Sequence, residues 1–156
     1  MNWEDFSQKV IDMIPVLHRV AYMQLHQAAD REDAVQEAIR RAWEKRDHLR
    51  EDRYMQTWVI RILLNVCDTM RRRNARMQIQ ESFCDHSAPE RNESVLIDTL
   101  MSLDEKYRLP LQLRYIEEYS VAEVARILHI PQGTVKSRLA RGREKLRALL
   151  DEEVFE

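Results

Sequence analysis

Glycine is nearly absent from this sequence: the 156 residues contain only Gly133 and Gly142, and both belong to one segment. A phosphate-binding loop of the Walker or dinucleotide-binding type needs several clustered glycines, because the backbone must approach the phosphate groups closely. The chain therefore lacks the loops of those nucleotide-binding enzymes.

Cysteine and histidine are too scattered for a metal site. Cys67 and Cys84 form no Cys-x-x-Cys pair, and the five histidines show no metal-ligand spacing. No pair of nucleophile and base is recognisable either. We therefore expect no cofactor, no small-molecule substrate and no enzymatic activity.

Long apolar segments are missing as well. No run approaches the length of about 18 residues that a membrane-spanning helix needs, and the first residues do not follow the signal-peptide pattern. These absences predict a soluble protein in the reducing cytoplasm.

The residues that are present favour an all-α fold of two small helical domains. Helix formers dominate, and the β-branched alternation that marks strands is scarce. We place the first domain at residues 1–77 and the second at 94–156. Residues 78–93 lack periodicity and are predicted to form a flexible, acidic linker. Five acidic residues occur against one Arg from Met77 to Leu100, which suits either a solvated spacer or a segment that occupies a nucleic-acid channel.

Three amphipathic helices are predicted in the first domain. Pro15 should interrupt or kink the first helix, Asp30 should cap the second and Thr57 should cap the third. The third helix is basic, with five Arg residues against one Asp between positions 61 and 76. The predicted core positions are Phe6, Val10, Met13, Leu17, Ala34, Val35, Ala38, Ile39, Ala42, Trp43, Val59, Leu63, Val66 and Met70.

The second domain contains the pattern of a helix-turn-helix over residues 120–150. Ser120 and Glu123 form a capping box at the start of a short helix, and Pro131 ends that helix. The next helix has six Lys or Arg residues against one Glu up to Leu150. Such a helix is typical of DNA binding, because cations that contact DNA phosphates release counterions. Further core positions are predicted at Val95, Leu96, Leu100, Leu103, Leu109, Leu111, Leu113, Tyr115 and Ile116.

Three segments in this order resemble the extracytoplasmic-function (ECF) group of bacterial RNA polymerase sigma factors: DREDAVQEAIRRAW, TWVIRILLNVCDTMRRR and LDEKYRLPLQLRYIEEYSVAEVARILHIPQGTVKSRLARGREKLRALL. The resemblance covers nearly the whole chain. It implies that the first domain is a sigma-2 domain and the second a sigma-4 domain. It also implies three partners: bacterial core RNA polymerase, promoter DNA, and an anti-sigma factor, which in this family is often membrane-bound.

The resemblance further assigns roles to residues. The second helix of sigma-2 would contact the clamp helices of the polymerase's largest subunit. The loop from His48 to Gln56 and the helix after it would bind the minus-ten element, and the basic helix of sigma-4 would bind the minus-thirty-five element. The implied polymerase contacts are Asp33, Gln36, Glu37 and Arg40. The implied minus-ten contacts are Arg61, Asn65, Asp68, Arg71 and Arg72. The implied minus-thirty-five contacts are Thr134, Lys136, Ser137, Arg138, Arg141 and Arg143.

Some positions depart from the family's pattern. His129 stands where the family commonly has Gly, but His tolerates a left-handed backbone better than most residues, so the turn should survive. Leu49 and Met55 stand where the specificity loop often has aromatic residues, which leaves the base preference of that loop open. We assign Trp58 to the core rather than to base stacking.

Two other functions fit parts of the pattern. A stand-alone helix-turn-helix regulator would bind duplex promoter DNA without a stable polymerase complex. A helical adaptor would use its basic helices to bind acidic proteins, so that Arg138→Ala and Arg141→Ala would leave it functional. The main hypothesis is the sigma factor, which directs promoter recognition, DNA opening and transcription initiation.

Overall fold

The computed structural model describes residues 1–80 and 95–155, and these two ranges contain helices and no strand. The chain divides into two compact units, Met1–Pro89 and Glu90–Glu156. The expected all-α fold is confirmed. Residues 81–93 of the predicted linker, and Cys84 with them, lie outside the described residues. In the described ranges, no helix combines the length and apolar character needed to span a bilayer.

Within residues 1–80, three long helices form the first unit. They are α1 (Trp3–Gln24), α2 (Ala28–Glu44) and α3 (Met55–Gln80), and each packs against the other two. Two 3₁₀ turns, Arg46–His48 and Asp52–Tyr54, connect α2 to α3. The buried apolar side chains include Phe6, Val10, Met13, Leu17, Val20, Ala34, Val35, Ala38, Ala42, Val59, Ile60, Leu63, Val66 and Cys67.

The helices of this unit begin earlier than the sequence suggested. Asp30 lies in the first turn of α2, where its Oδ2 accepts a hydrogen bond from Asn74, so it is not the cap. Thr57 lies in the first turn of α3, where its Oγ1 donates to the Tyr54 carbonyl. The start of α3 shifts to Met55 because that side chain belongs to the core. Pro15 does not interrupt α1, which continues through it to Gln24.

Within residues 95–155, four helices form the second unit: α4 (Val95–Ser102), α5 (Glu105–Leu111), α6 (Val121–Leu128) and α7 (Gln132–Phe155). A π-helical turn, Gln112–Ile116, extends α5. The long helix α7 packs against the other three. The buried side chains include Leu100, Leu103, Tyr107, Leu109, Leu111, Leu113, Val124, Ile127, Val135 and Leu139.

Four predicted core residues of this unit are exposed instead: Val95, Leu96, Tyr115 and Ile116. Leu109, Leu111 and Leu113 of the alternating apolar run are buried, as are Pro110 and Gln112 between them. The run ends in the π-helical turn, where Tyr115 and Ile116 lie on the surface. Val95 and Leu96 occupy the exposed first turn of α4.

The turn of the helix-turn-helix agrees with the prediction. Ser120 Oγ accepts a hydrogen bond from Glu123 N at 3.1 Å, and the Glu123 side chain accepts one from Ser120 N at 3.0 Å. His129 ends α6 in the left-handed conformation, with φ 54° and ψ 46°. Glu118 also has a positive φ, 62°, which the sequence did not reveal.

Candidate nucleic-acid and partner-binding surfaces

One side of α2 presents the residues predicted to bind the polymerase. They are Asp33, Gln36, Glu37 and Arg40, at the three- and four-residue spacing of a helix face. All four line a groove of about 520 Å³ between α2 and α3. Thr69, Met70 and Arg73 of α3 line the same groove. The structure therefore brings the predicted residues together and adds an α3 wall that the sequence pattern did not indicate.

Glu37 is the centre of an ion-pair network in this groove. Its carboxylate accepts hydrogen bonds from Arg40 Nη2 at 2.6 Å and from Arg41 Nε at 2.8 Å. The bond from Arg40, followed by that from Arg41, holds the pKa of Glu37 down at about 2. Because the folded-state pKa is lowered, the network favours the folded state above the ordinary value of 4.5 and is lost as the pH falls toward 2.

Asp33 differs from Glu37 in its partners. It is exposed and forms no ion pair with any of the described residues. A cation from outside the chain could therefore pair with Asp33 without competition, whereas at Glu37 it would have to share the carboxylate with Arg40 and Arg41. Asp33 is the carboxylate of this groove that is most open to a partner.

Four of the five predicted minus-ten residues share one side of α3. They are Arg61, Asn65, Asp68 and Arg72, which lie within roughly 60° of one another around the helix. Asn65 and Arg72 are exposed, and burial lowers the pKa of Arg61. Asp68 Oδ2 lies 2.8 Å from Arg72 Nη2. The carboxylate thus fixes the position of an exposed guanidinium on this side of the helix.

Arg71, the fifth predicted residue, is directed toward α1. Its Nη1 donates to Gln24 Oε1 of α1 at 3.0 Å, its Nη2 lies 3.6 Å from Asp68 Oδ1, and its side chain is only 26% exposed. At about 100° per residue, Arg71 lies on a different side of α3 from Arg72. The structure adds its partner at the end of α1, which the sequence pattern did not indicate.

An ion pair and a cation–π contact stabilise the loop that precedes α3. Lys9 Nζ of α1 lies 3.2 Å from Asp52 Oδ2, and the Arg53 guanidinium lies 4.7 Å from the centre of the Tyr54 ring. Tyr54 is half-buried, an aromatic residue that the sequence analysis did not single out. Met55 is buried and Trp58 half-buried. Leu49 and Met55 both depart from the family's aromatic pattern in this loop, and of the two only Leu49 is partly exposed.

The predicted minus-thirty-five residues divide between two sides of α7. Lys136 and Arg143 are seven positions apart and project on one side, whereas Arg138 and Arg141 project on the other, beside Thr134. Ser137 lies on the fully exposed ridge between them, and its Oγ donates to the Thr134 carbonyl at 3.0 Å. The opposite side of α7 is buried against α5 and α6.

Tyr115 is a residue of this surface that the sequence analysis misplaced in the core. Its side chain is 51% exposed, and its hydroxyl accepts a hydrogen bond from Arg143 Nη1 at 2.6 Å. The π-helical turn after α5 therefore supports the Lys136 and Arg143 side of α7. The available signal was the charged neighbourhood of Tyr115, since Arg114 precedes it and Glu117 and Glu118 follow after Ile116.

Comparisons with known proteins agree with this division into two units. The family model described as Sigma-70 region 2 matches residues 10–77, and that described as Sigma-70, region 4 matches residues 94–146. The ECF RNA polymerase sigma factor SigW of Bacillus subtilis is 30% identical over 154 residues, with 86% of this chain and 82% of SigW covered. The chain belongs to the ECF sigma factors. It is a promoter-recognition subunit and a transcription initiation factor.

Solved structures support the same conclusion for this sigma factor. The sigma factor RpoE from Bartonella quintana, crystallised with the anti-sigma factor NepR, has a TM-score of 0.80 at 26% identity, over 95% of this chain and 98% of that one. CnrH, solved in complex with the cytosolic domain of CnrY, has a TM-score of 0.76 at 29% identity, over 97% and 90%. Because the similarity includes both units, a stand-alone helix-turn-helix regulator is not favoured.

Proposed function

We propose that this sigma factor binds core RNA polymerase through the α2–α3 groove and promoter DNA through the exposed arginine residues of α3 and α7. The exposed carboxylate of Asp33 carries the proposal for the groove. It forms no ion pair with any of the described residues and can pair with a cationic side chain of a partner, whereas Glu37 in the same groove is shared by Arg40 and Arg41. The outer faces of α3 and α7 offer guanidinium groups such as Arg72 and Arg141, which attract the DNA backbone.

In this proposal α7 lies in the major groove of the minus-thirty-five element, with its buried side held by α5 and α6. Phosphate contacts from Lys136 and Arg143 on one side, and from Arg141 on the other, would fix its position, while residues on the ridge approach the bases. A bidentate Arg–guanine contact discriminates against other bases by about 1–3 kcal/mol.

At the minus-ten element, the loop before α3 and the side that carries Asn65 and Arg72 would hold the opened strand. Removing a base from the duplex costs a few kcal/mol, which contacts to the single strand must offset. The chain itself makes and breaks no bond in this scheme, because RNA synthesis belongs to the polymerase. We infer that it is not an enzyme and that it works in the cytoplasm, where polymerase and promoter meet.

An anti-sigma protein is the third proposed partner. Two structural relatives support it, since RpoE was solved with the anti-sigma factor NepR and CnrH with the cytosolic domain of CnrY. A protein that covers the α2–α3 groove would prevent the polymerase from binding there. Such a partner would therefore keep this sigma factor inactive until it is released.

The decisive experiment is transcription in vitro with purified core polymerase, genomic DNA and this chain, followed by mapping of RNA start sites. We expect starts at a specific set of promoters only when the chain is present. Asp33→Arg combined with Glu37→Arg should abolish co-purification with core polymerase and all promoter-specific starts, because cationic contacts would then be repelled.

The control is a double charge reversal of the same size on an exposed side of α1, Asp5→Arg with Asp12→Arg, outside the groove. It should retain polymerase association and specific starts. A wild-type chain that yields no specific start with core polymerase contradicts the proposed function, and groove variants that still co-purify contradict the assignment of the groove.

A further inference from the structure

The second half of α3 extends beyond the apolar core of its unit. Cys67 is the last buried residue of α3 before Met77, and none of the residues from Asp68 to Met77 is buried. That stretch spans about 15 Å of helix and carries four arginines, which repel one another. Fully buried apolar side chains therefore do not hold this end of α3 against the bundle.

Two hydrogen bonds between distant side chains fasten this end of α3 instead. Arg71 Nη1 donates to Gln24 Oε1 at 3.0 Å, and Asn74 Nδ2 donates to Asp30 Oδ2 at 3.0 Å. Gln24 is the last residue of α1 and Asp30 lies in the first turn of α2. Both bonds thus join α3 to the α1–α2 connection, at positions one turn apart on α3.

The two bonds lie beside an open cleft rather than within packed side chains. Gln24, Asp30, Arg71 and Asn74 all line a cavity of about 670 Å³ between the α1–α2 connection and α3. Gln24 is 3% exposed, its Oε1 accepts the bond from Arg71, and its buried Nε2 has no hydrogen-bond partner among the described residues. The two polar pairs are therefore contacts through which the α1–α2 connection sets the position of this end of α3.

We propose that Gln24 and Asn74 are positioning residues for promoter binding, which hold the end of α3 so that Arg72 and Arg76 face DNA. The inference rests on the proposed function, because it assigns DNA contacts to exposed arginines of α3. Neither Gln24 nor Asn74 needs to touch DNA. We call the two hydrogen bonds, Arg71 to Gln24 and Asn74 to Asp30, the clasp. Through Asp30 the clasp also connects α3 with α2, the helix that carries the polymerase groove.

The test uses full-length chain, core polymerase and a promoter labelled with a fluorescent base in the minus-ten element. Asn74→Asp places a second carboxylate opposite Asp30 and breaks the bond. We expect promoter opening at saturating polymerase to fall about three- to tenfold, as for loss of one or two hydrogen bonds. The affinity for core polymerase should stay within about twofold, since the groove residues are unchanged.

The exchange variant, Asp30→Asn together with Asn74→Asp, distinguishes loss of the hydrogen bond from the effect of an added negative charge on the surface. It restores one amide donor and one carboxylate acceptor with the net charge unchanged, so promoter opening should return to within about twofold of wild type. Gln8→Ala is the matched control, because Gln8 Nε2 donates to Asp12 Oδ1 within α1 and far from the clasp in sequence. It should leave opening unchanged.

Hydrogen exchange of the free chain tests the clasp independently of transcription. Amides of residues 71–77 should exchange about five- to tenfold faster in Asn74→Asp than in wild type, and the exchange variant should restore protection. Unchanged exchange overturns the clasp. Faster exchange with normal opening, or an exchange variant that fails to recover opening, overturns the positioning role. If wild type itself opens no promoter, the proposed function fails while the exchange data still decide the clasp.

Discussion

The two basic helices, α3 and α7, are held in place by different interactions. On α7 the buried residues Val135, Leu139 and Gly142 lie among the exposed Lys and Arg positions. The cationic segment of α7 is therefore itself packed against the rest of its unit. On α3 most of the cations follow Cys67, none of the residues from Asp68 to Met77 is buried, and hydrogen bonds link that stretch to α1 and α2.

This difference indicates how each helix should respond to change. Buried apolar contacts along the cationic segment make the position of α7 a property of the whole second unit. The end of α3 can move without loss of the bundle's core. Each hydrogen bond that holds it contributes about 1 kcal/mol to stability, whereas the buried contacts of a packed helix together contribute several kcal/mol. The DNA-facing side of α3 should therefore be more sensitive than that of α7 to the loss of a single side-chain hydrogen bond.

Gly142→Val should produce the largest loss, because it fills the space where α7 crosses α5. A Cβ at Gly142 would lie 3.0 Å from Leu111 Cδ1 and 3.4 Å from Tyr107 Cβ, and both side chains are buried. Overpacking of this kind destabilises by about 2–3 kcal/mol. Urea unfolding followed by circular dichroism should show the second unit unfolding earlier.

Two controls make that result specific to packing. Gly133→Val alters the exposed start of α7, where a Cβ meets nothing within 4 Å, and should change the stability by less than about 0.5 kcal/mol. Met77→Ala, at the exposed end of α3, should also be neutral. All three tryptophans lie in the first unit, so their fluorescence midpoint should not shift in Gly142→Val. A neutral Gly142→Val would mean that α7 is not fixed by this crossing.

Ser120→Ala should have an intermediate effect, since it removes one side of the capping box of α6. Loss of an N-cap costs about 1 kcal/mol. Because α7 is fixed mainly by apolar contacts, we expect lower stability of the second unit but unchanged affinity for minus-thirty-five DNA well below the unfolding midpoint. Ser120→Asp, which keeps an acceptor at the cap, should retain stability. If DNA affinity falls in proportion to stability, apolar contacts alone do not hold α7.

Local chemistry made much of this fold predictable from sequence. The capping box at Ser120 and Glu123, and the left-handed turn at His129, each depend on a few neighbouring residues, and the structure agrees with both. The buried positions of α1 followed directly from helical periodicity. Features of this kind need no knowledge of the rest of the molecule.

Features that depend on distant residues were not predictable in the same way. Asp30 resembled a cap in the sequence, but its partner Asn74 is 44 positions away. Helical spacing separates Arg71 from Arg72, but the partner of Arg71, Gln24, is 47 positions away in the sequence. Tyr115 was expected in the core because no sequence signal announced a π-helical turn. The roles of the individual DNA-facing residues stay predictions.

Tyr115→Phe should give the smallest effect, because it removes one hydroxyl at the surface. The ring remains, but Arg143 loses the acceptor that holds its guanidinium beside α7. We expect about two- to fivefold weaker binding of minus-thirty-five duplex by the holoenzyme, measured by fluorescence anisotropy. The salt dependence should stay the same, because no cation is removed.

Arg143→Ala supplies the background that decides whether Tyr115 acts through Arg143. That substitution removes a phosphate contact, so it should weaken binding further and lower the salt slope by about one. In the Arg143→Ala background, Tyr115→Phe should have no additional effect, since the hydrogen bond no longer exists. Additive losses would show that the tyrosine contacts DNA itself. In that case the exposed π-helical turn, and not α7 alone, would be part of the surface that binds the duplex.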